Sequence, residues 1–223
     1  TDPYQPVERK EGLTRRILSV MNAYGQAVGV ITKNALVLRD LDLLTELAQR
    51  NLASVAISIT TQDEALRRVL EPRTSSAALR LRAIERLSAA GVPVHAMIAP
   101  IIPALNEPEV PSLLKAAADA GARSAGYTIL RANGAVAPIF SAWLHTHFPD
   151  RAEKVLAATR SLHGGELHDH LAGRRMKGEG VRAEAIGRVF HVMKRRCFGD
   201  NRMPTLDRSQ FKPPPQGQLE LFP

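Results

Sequence analysis

The apolar positions change period along the chain, and the changes mark its elements. Across residues 10–24, Leu13, Ile17, Leu18 and Met21 recur at three- and four-residue spacing, which predicts a helix stopped by Gly25. The next stretch, Ala27-Val28-Gly29-Val30-Ile31-Thr32, is apolar without alternation, the pattern of a short strand covered on both faces. Asp40 then precedes Leu41, Leu44, Leu47 and Ala48, predicting a helix capped by that carboxylate. The alternation repeats. Strands are predicted over residues 55–60, 94–99 and 124–130, and helices over 63–70, 76–90 and 108–120, with Gly91 and Gly121 as stops. Strand spacings of roughly 27 to 40 residues are those of βα units with parallel strands.

After Arg131 the pattern is helical only, over residues 140–147, 151–162 and 181–196. From Asp200 onward, Pro204 and the run Pro213-Pro214-Pro215 predict an extended tail. The expected organisation is therefore a part of alternating strands and helices, 1–133, a helical part, 134–199, and the tail, 200–223.

Composition narrows the class. With 223 residues, 44% hydrophobic and 23% charged, the chain can bury a core of ordinary globular size. No apolar run reaches the roughly 18 residues of a membrane span, and the first residues lack signal-peptide features, so a cytoplasmic protein is expected. A single cysteine, Cys197, offers neither an internal disulfide nor a thiolate set for a metal cluster, and reads as a small, buried apolar residue. The net charge of +8 favours polyanionic partners. Eight basic residues between 174 and 196 stand against Glu179 and Glu184, a pattern that suits either a phosphate backbone or a solvated helical face. His168-Asp169-His170 lacks a nearby third ligand and reads as surface decoration rather than a metal site.

Ligands of parallel α/β folds bind at the carboxyl ends of the strands. Those ends carry Thr32-Lys33-Asn34, Ser58-Ile59-Thr60-Thr61, Pro100-Ile101-Ile102-Pro103 and Arg131-Ala132-Asn133. A lysine, hydroxyls and an arginine on one rim suit a carboxylate or phosphate, although solvated loops have the same composition.

The order of these segments adds a resemblance. Thr1-Asp2-Pro3-Tyr4-Gln5-Pro6, Thr32-Lys33, Ser58-Ile59-Thr60-Thr61, Glu71-Pro72-Arg73 and Pro100-Ile101-Ile102-Pro103-Ala104-Leu105-Asn106 occur in sequence, followed by Phe140, Trp143, Pro149-Asp150-Arg151, Gly164-Gly165 and Arg175-Met176. Together they resemble the DNA-repair-photolyase-like group of the radical S-adenosylmethionine superfamily, related to spore photoproduct lyase, over nearly the whole chain. The resemblance implies an α/β fold, a partial parallel (β/α)6 TIM-like barrel lacking its first unit, with C-terminal helices and an extended tail. The absent part, roughly 40 to 60 residues at about 30 per βα unit, would include the Cys-x3-Cys-x2-Cys loop that holds a 4Fe-4S cluster. Without those ligands the fragment is expected to be inactive.

The implied activity is a lyase-like radical chemistry in which the cluster cleaves S-adenosylmethionine to a 5′-deoxyadenosyl radical, while the protein supplies placement and exclusion of water. By position, the resemblance assigns Asp2 to the methionine ammonium, Lys33 and Arg73 to its carboxylate, Ser58 to the ribose or carboxylate, and Ile101 and Ile102 to an apolar wall for adenine. Each has a plainer reading: Lys33 in a solvated loop, Ser58 as a structural serine, Arg73 paired with an acid such as Glu71, and the isoleucines as strand extension. Two departures matter. Arg131-Ala132-Asn133-Gly134 stands where the group commonly has Arg-Leu-Pro, and residues 1–6 lack the cysteine that serves spore photoproduct lyase as hydrogen donor. Thymine-dimer repair is therefore not predicted, and a DNA or nucleotide-derived substrate is.

At the other terminus, Gln218-Leu219-Glu220-Leu221-Phe222 resembles the pentapeptide that attaches bacterial polymerases and repair proteins to the sliding clamp. Gln218, Leu219, Leu221 and Phe222 are the expected contacts, tethered by the proline run; the alternative is a tail folded onto its own domain. Two other readings of the whole chain stay open, a non-catalytic clamp-tethered DNA-binding accessory and a (β/α) enzyme acting on a phosphorylated metabolite.

Overall fold

The computed structural model describes residues 2–213. Four strands, β1 (Val28–Thr32), β2 (Ala53–Ser58), β3 (Val94–Ile101) and β4 (Ser124–Ile129), form one parallel sheet in the order β1-β2-β3-β4. Two helices, α1 (Glu8–Glu11) and α2 (Leu13–Ala23), precede the sheet, and α3 (Leu41–Gln49), α4 (Glu64–Leu70), α5 (Ala77–Ala89) and α6 (Val110–Asp119) connect the strands. Beyond it lie α7 (Val136–His147), α8 (Ala152–Leu162), the single turn α9 (Arg174–Lys177) and α10 (Gly180–Phe198). The strands are parallel, as the alternation predicts, and the result is a partial TIM-like barrel, as the resemblance implies.

Local chemistry sets the boundaries. The expected first helix divides at Gly12, whose φ of 61° ends α1 in the left-handed region. Asp63 accepts the amides of Ala65 and Leu66, and Ser76 that of Leu79, so both helices begin on side-chain caps. Asp40 does not cap α3. A 3-10 turn, Ala35–Asp40, runs directly into that helix, and the buried Asp40 carboxylate instead accepts Tyr4 Oη at 3.0 Å and the guanidinium groups of Arg39 and Arg15. This pins the fully buried Tyr4, and with it the N-terminal segment, against α3.

Parallel register places Val30, Val55 and Val94 on one face and Ile31, Ala56 and His95 on the other. The first face is buried beneath α3, α5 and α6 with Leu44, Leu47, Ile84, Leu87, Leu113 and Leu114, each enclosed side chain contributing about 1.5–3 kcal/mol. On the second face Ile31 is 58% exposed, so β1 is covered on one side and not on both as its apolar run suggests. A second cluster joins α4, α7 and α8 beyond the carboxyl ends of β3 and β4; there Phe140 stacks on Trp143, whose indole donates to Val69 O at 3.0 Å.

Helix α10 lies beside α6 and seats Phe190 on Tyr127, ring centroids 4.5 Å apart. The chain then runs extended across the amino ends of the strands, where Asp207 N donates to Asn51 O at 2.9 Å and Lys212 N to Tyr24 O at 2.9 Å. Gln218, Leu219, Leu221 and Phe222 lie outside the described residues. No helix among the described residues is long and apolar enough to cross a membrane. Gly25 sits at φ 63°, where a Cβ would come within 2.3 Å of Gln210 O on this strap. Gly25→Ala is expected to lower the unfolding free energy by about 1–3 kcal/mol, measured by denaturant titration, and to expose the strap to proteolysis.

Candidate functional site

The carboxyl ends of β1 and β2 are joined through one carboxylate. Glu71, at the end of α4 and 8% exposed at its side chain, accepts Lys33 Nζ from the loop after β1, Thr60 Oγ1 from the loop after β2 at 2.9 Å, and Arg80 Nη2 from α5 at 2.7 Å. Arg80 is 2% exposed and occupies a core position of α5, between Ala77 and Ile84. Its remaining donors reach Ser58 O at 3.0 Å and Ser75 O at 2.8 Å, so the buried charge is fully bonded. Burial alone would raise the Glu71 carboxyl, but Lys33 and Arg80 outweigh it and hold the group below its ordinary value.

Asp2 ties the N-terminal segment to the same rim. Its carboxylate accepts Thr32 Oγ1 at 2.7 Å, Lys33 N at 2.7 Å and Tyr4 N at 2.8 Å. A cleft of about 520 Å³ opens between this segment and the loop after α4, lined by Asp2, Tyr4, Lys33, Asn34, Arg73 and Thr74 among others. Arg73 is exposed on its edge and makes no ion pair among the described residues. The cleft therefore brings together Asp2, Lys33 and Arg73, which are dispersed in sequence.

The other expected residues are placed differently. Ser58 is buried, stands level with Lys33 on the open face by register, and does not line the cleft. Ile101 and Ile102 are 1% and 0% exposed, Ile101 in the main core and Ile102 in the second cluster. Neither lines the cleft that holds Asp2, Lys33 and Arg73. Glu71 takes Arg80 as its arginine partner, which leaves Arg73 outward. Asn106, also buried, donates to Thr60 O at 2.8 Å and accepts Ile102 N at 2.6 Å, cross-linking the loops after β2 and β3.

The loop after β4 is held by groups that sequence reasoning set aside. Asp169 is 2% exposed rather than superficial; it faces His163 Nδ1 at 3.1 Å and accepts Arg174 Nε at 2.7 Å, a bond that holds its carboxyl well below the usual range. Cys197 is half-buried on α10 against the main core. Among the described residues no group of three His, Cys, Asp or Glu side chains is arranged to hold a metal ion, so they do not fit an iron–sulfur cluster.

The cleft sets one carboxylate, Asp2, and one unpaired guanidinium, Arg73, on the same lining. A carboxylate offers about four acceptor sites, so Asp2 retains capacity for an ammonium, and Arg73 presents a free fork for a carboxylate.

No family model matches the chain. It is 35% identical over 152 residues to an uncharacterized protein of Mycobacterium tuberculosis, strain H37Rv, covering 67% of this chain and 45% of that protein. It is 33% identical over 109 residues to an uncharacterized protein of Methanocaldococcus jannaschii, covering 49% of this chain and 40% of that one. The chain thus spans less than half the length of these relatives. Its fold resembles that of a spore photoproduct lyase mutant, with a TM-score of 0.54, 15% identity, and coverage of 86% of this chain and 55% of the other.

Removing the shared carboxylate would leave two cations facing an uncharged amide. Glu71→Gln is expected to cost about 3 kcal/mol in denaturant unfolding at pH 7. Because Glu71 has a lowered folded-state value, its contribution is complete above 4.5 and fades as pH falls below it; the acid limb of the stability profile should be shallower in the variant.

Proposed function

We propose that this chain is the cofactor-binding portion of a radical S-adenosylmethionine enzyme acting on DNA or a nucleotide-derived substrate. One observation carries the reading: Asp2, Lys33 and Arg73 line a single cleft at the carboxyl end of a partial barrel whose fold resembles spore photoproduct lyase. In the proposed complex Asp2 accepts from the methionine ammonium and Arg73 reaches the carboxylate. Lys33, already held by Glu71, adds positive potential to that end of the cleft. Ser58 faces the open side of the sheet, where the nucleoside would extend. The 4Fe-4S ligands would come from outside this chain, and the cluster would supply the electron for a 5′-deoxyadenosyl radical.

The test uses the complete protein, reconstituted anaerobically with iron and sulfide and given S-adenosylmethionine and a reductant. Formation of 5′-deoxyadenosine is expected, and its absence from a loaded, folded preparation would refute the proposal. Arg73→Ala removes an exposed side chain, so the fold should survive while affinity for S-adenosylmethionine weakens about tenfold, near 1.4 kcal/mol.

The partner proposal rests on Gln218, Leu219, Leu221 and Phe222, which would dock as a short tethered peptide on a bacterial sliding clamp. A fluorescent peptide of residues 213–223 should bind such a clamp saturably. Equal binding after Leu221→Ala and Phe222→Ala would remove the idea.

A further inference from the structure

At the opposite end of the sheet from Asp2, Lys33 and Arg73, a cavity of about 480 Å³ lies beside the amino ends of β3 and β4, between the last turns of α10 and the start of the strap. Its lining includes His95, Ser124, Lys194, Arg195 and Arg202, with Asp200 its one carboxylate. Lys194, Arg195 and Arg202 make no ion pair among the described residues, whereas Arg39, Arg80, Arg174 and Arg182 all do. Three cations thus face one acid around a recess open to solvent, with Arg195 and Arg202 exposed on it, an arrangement that attracts an anion.

His95 gives the site a directional group. Its Nδ1 is buried without a hydrogen-bond partner among the described residues. Buried polar atoms in folded proteins are seldom left unpaired, so a bound group or ordered water is the expected partner. The position of the ring depends on Gly126, because a Cβ there would come within 2.8 Å of His95 Nε2. Burial, then the charge of Lys194, holds the imidazole below its ordinary value. Near neutral pH the ring therefore stays uncharged and keeps one N–H to donate.

We propose that this cavity binds a phosphate group, with Lys194, Arg195 and Arg202 supplying charge and Ser124 and His95 supplying hydrogen bonds. The site is independent of the S-adenosylmethionine reading. Its phosphate arrives either as a small free anion or as one link of a polynucleotide backbone, two sources that present the same oxygens to the same cations.

Two titrations of the complete protein separate the sources: inorganic phosphate followed by the thermal midpoint against chloride at equal ionic strength, and a labelled single-stranded oligonucleotide followed by anisotropy. Saturable binding of at least one is expected. Competition of the oligonucleotide by phosphate would assign the backbone, and phosphate binding without oligonucleotide binding would assign the free anion. The double variant Lys194→Gln with Arg202→Gln should weaken binding at least about tenfold. Arg188→Gln with Arg196→Gln, which removes the same charge from α10 outside the cavity lining, should weaken it less than about threefold. Equal losses in the two variants would reduce the effect to general electrostatics and overturn the site. So would failure of phosphate to stabilise the wild-type protein beyond chloride together with absence of oligonucleotide binding, a result that does not depend on any variant folding.

Discussion

The carboxylate of Glu71 is the constraint on which the carboxyl end of this sheet depends. Lys33 approaches it from the end of β1, keeping part of its side chain open to the cleft, and Arg80 approaches from α5, too buried for water to replace the partner. Each charge would be costly alone in that position; together they are tolerated because every polar atom finds a bond. The geometric consequence concerns the segment between α4 and α5. With Glu71 turned inward and Thr74 and Ser75 bonded to Arg80, the intervening Arg73 is carried outward to the cleft edge.

The same device recurs around the rim. Strand ends leave backbone groups without ladder partners, and those groups must be satisfied. Asp2 serves Lys33 N, Asn106 serves Ile102 N and Thr60 O, and His163 faces Leu130 O at 2.9 Å. A rim held in this way spends most of its polarity on itself. What remains uncommitted on the cleft is small and specific: the free fork of Arg73 and the residual acceptor capacity of Asp2.

Much of the fold was legible because period and punctuation agree. The short apolar runs became β1 to β4 within a few residues, and Asp63 and Ser76 cap the helices that follow them. Failures came where tertiary partners outbid local ones. Asp40 has the position of a cap, yet Tyr4 and Arg39 take its oxygens, and no local pattern carries that information. Ile31 looks like core and is exposed, because apolarity reports what a residue prefers and not whether a neighbouring layer is present. Arg80 left a readable trace: an arginine on the stripe Ala77, Ala83, Ile84 and Leu87 requires a buried acid, and Glu71 is the nearby candidate. The cleft itself was legible only through the resemblance, since nothing in spacing links residues 2, 33 and 73.

The distribution of charge separates the two ends of the sheet. Arg15, Arg39, Arg67, Arg80, Arg174 and Arg182 are each neutralised by carboxylates, so they contribute little external field despite their number. Part of the excess behind the net charge of +8 is spread over the surface, on Arg9, Lys10, Arg16, Arg82, Arg86 and Arg123 among others, which are exposed and make no ion pair among the described residues. Another part gathers where α10 ends and the strap begins, on Lys194, Arg195, Arg196 and Arg202, with Asp200 beside them. Field strength at a distance follows uncompensated charge and falls within about 8–10 Å at physiological salt, so this cluster acts only close to that end. At the carboxyl end Lys33 and Arg80 are already paired and Arg73 is not, so selectivity there rests on contact geometry more than on field.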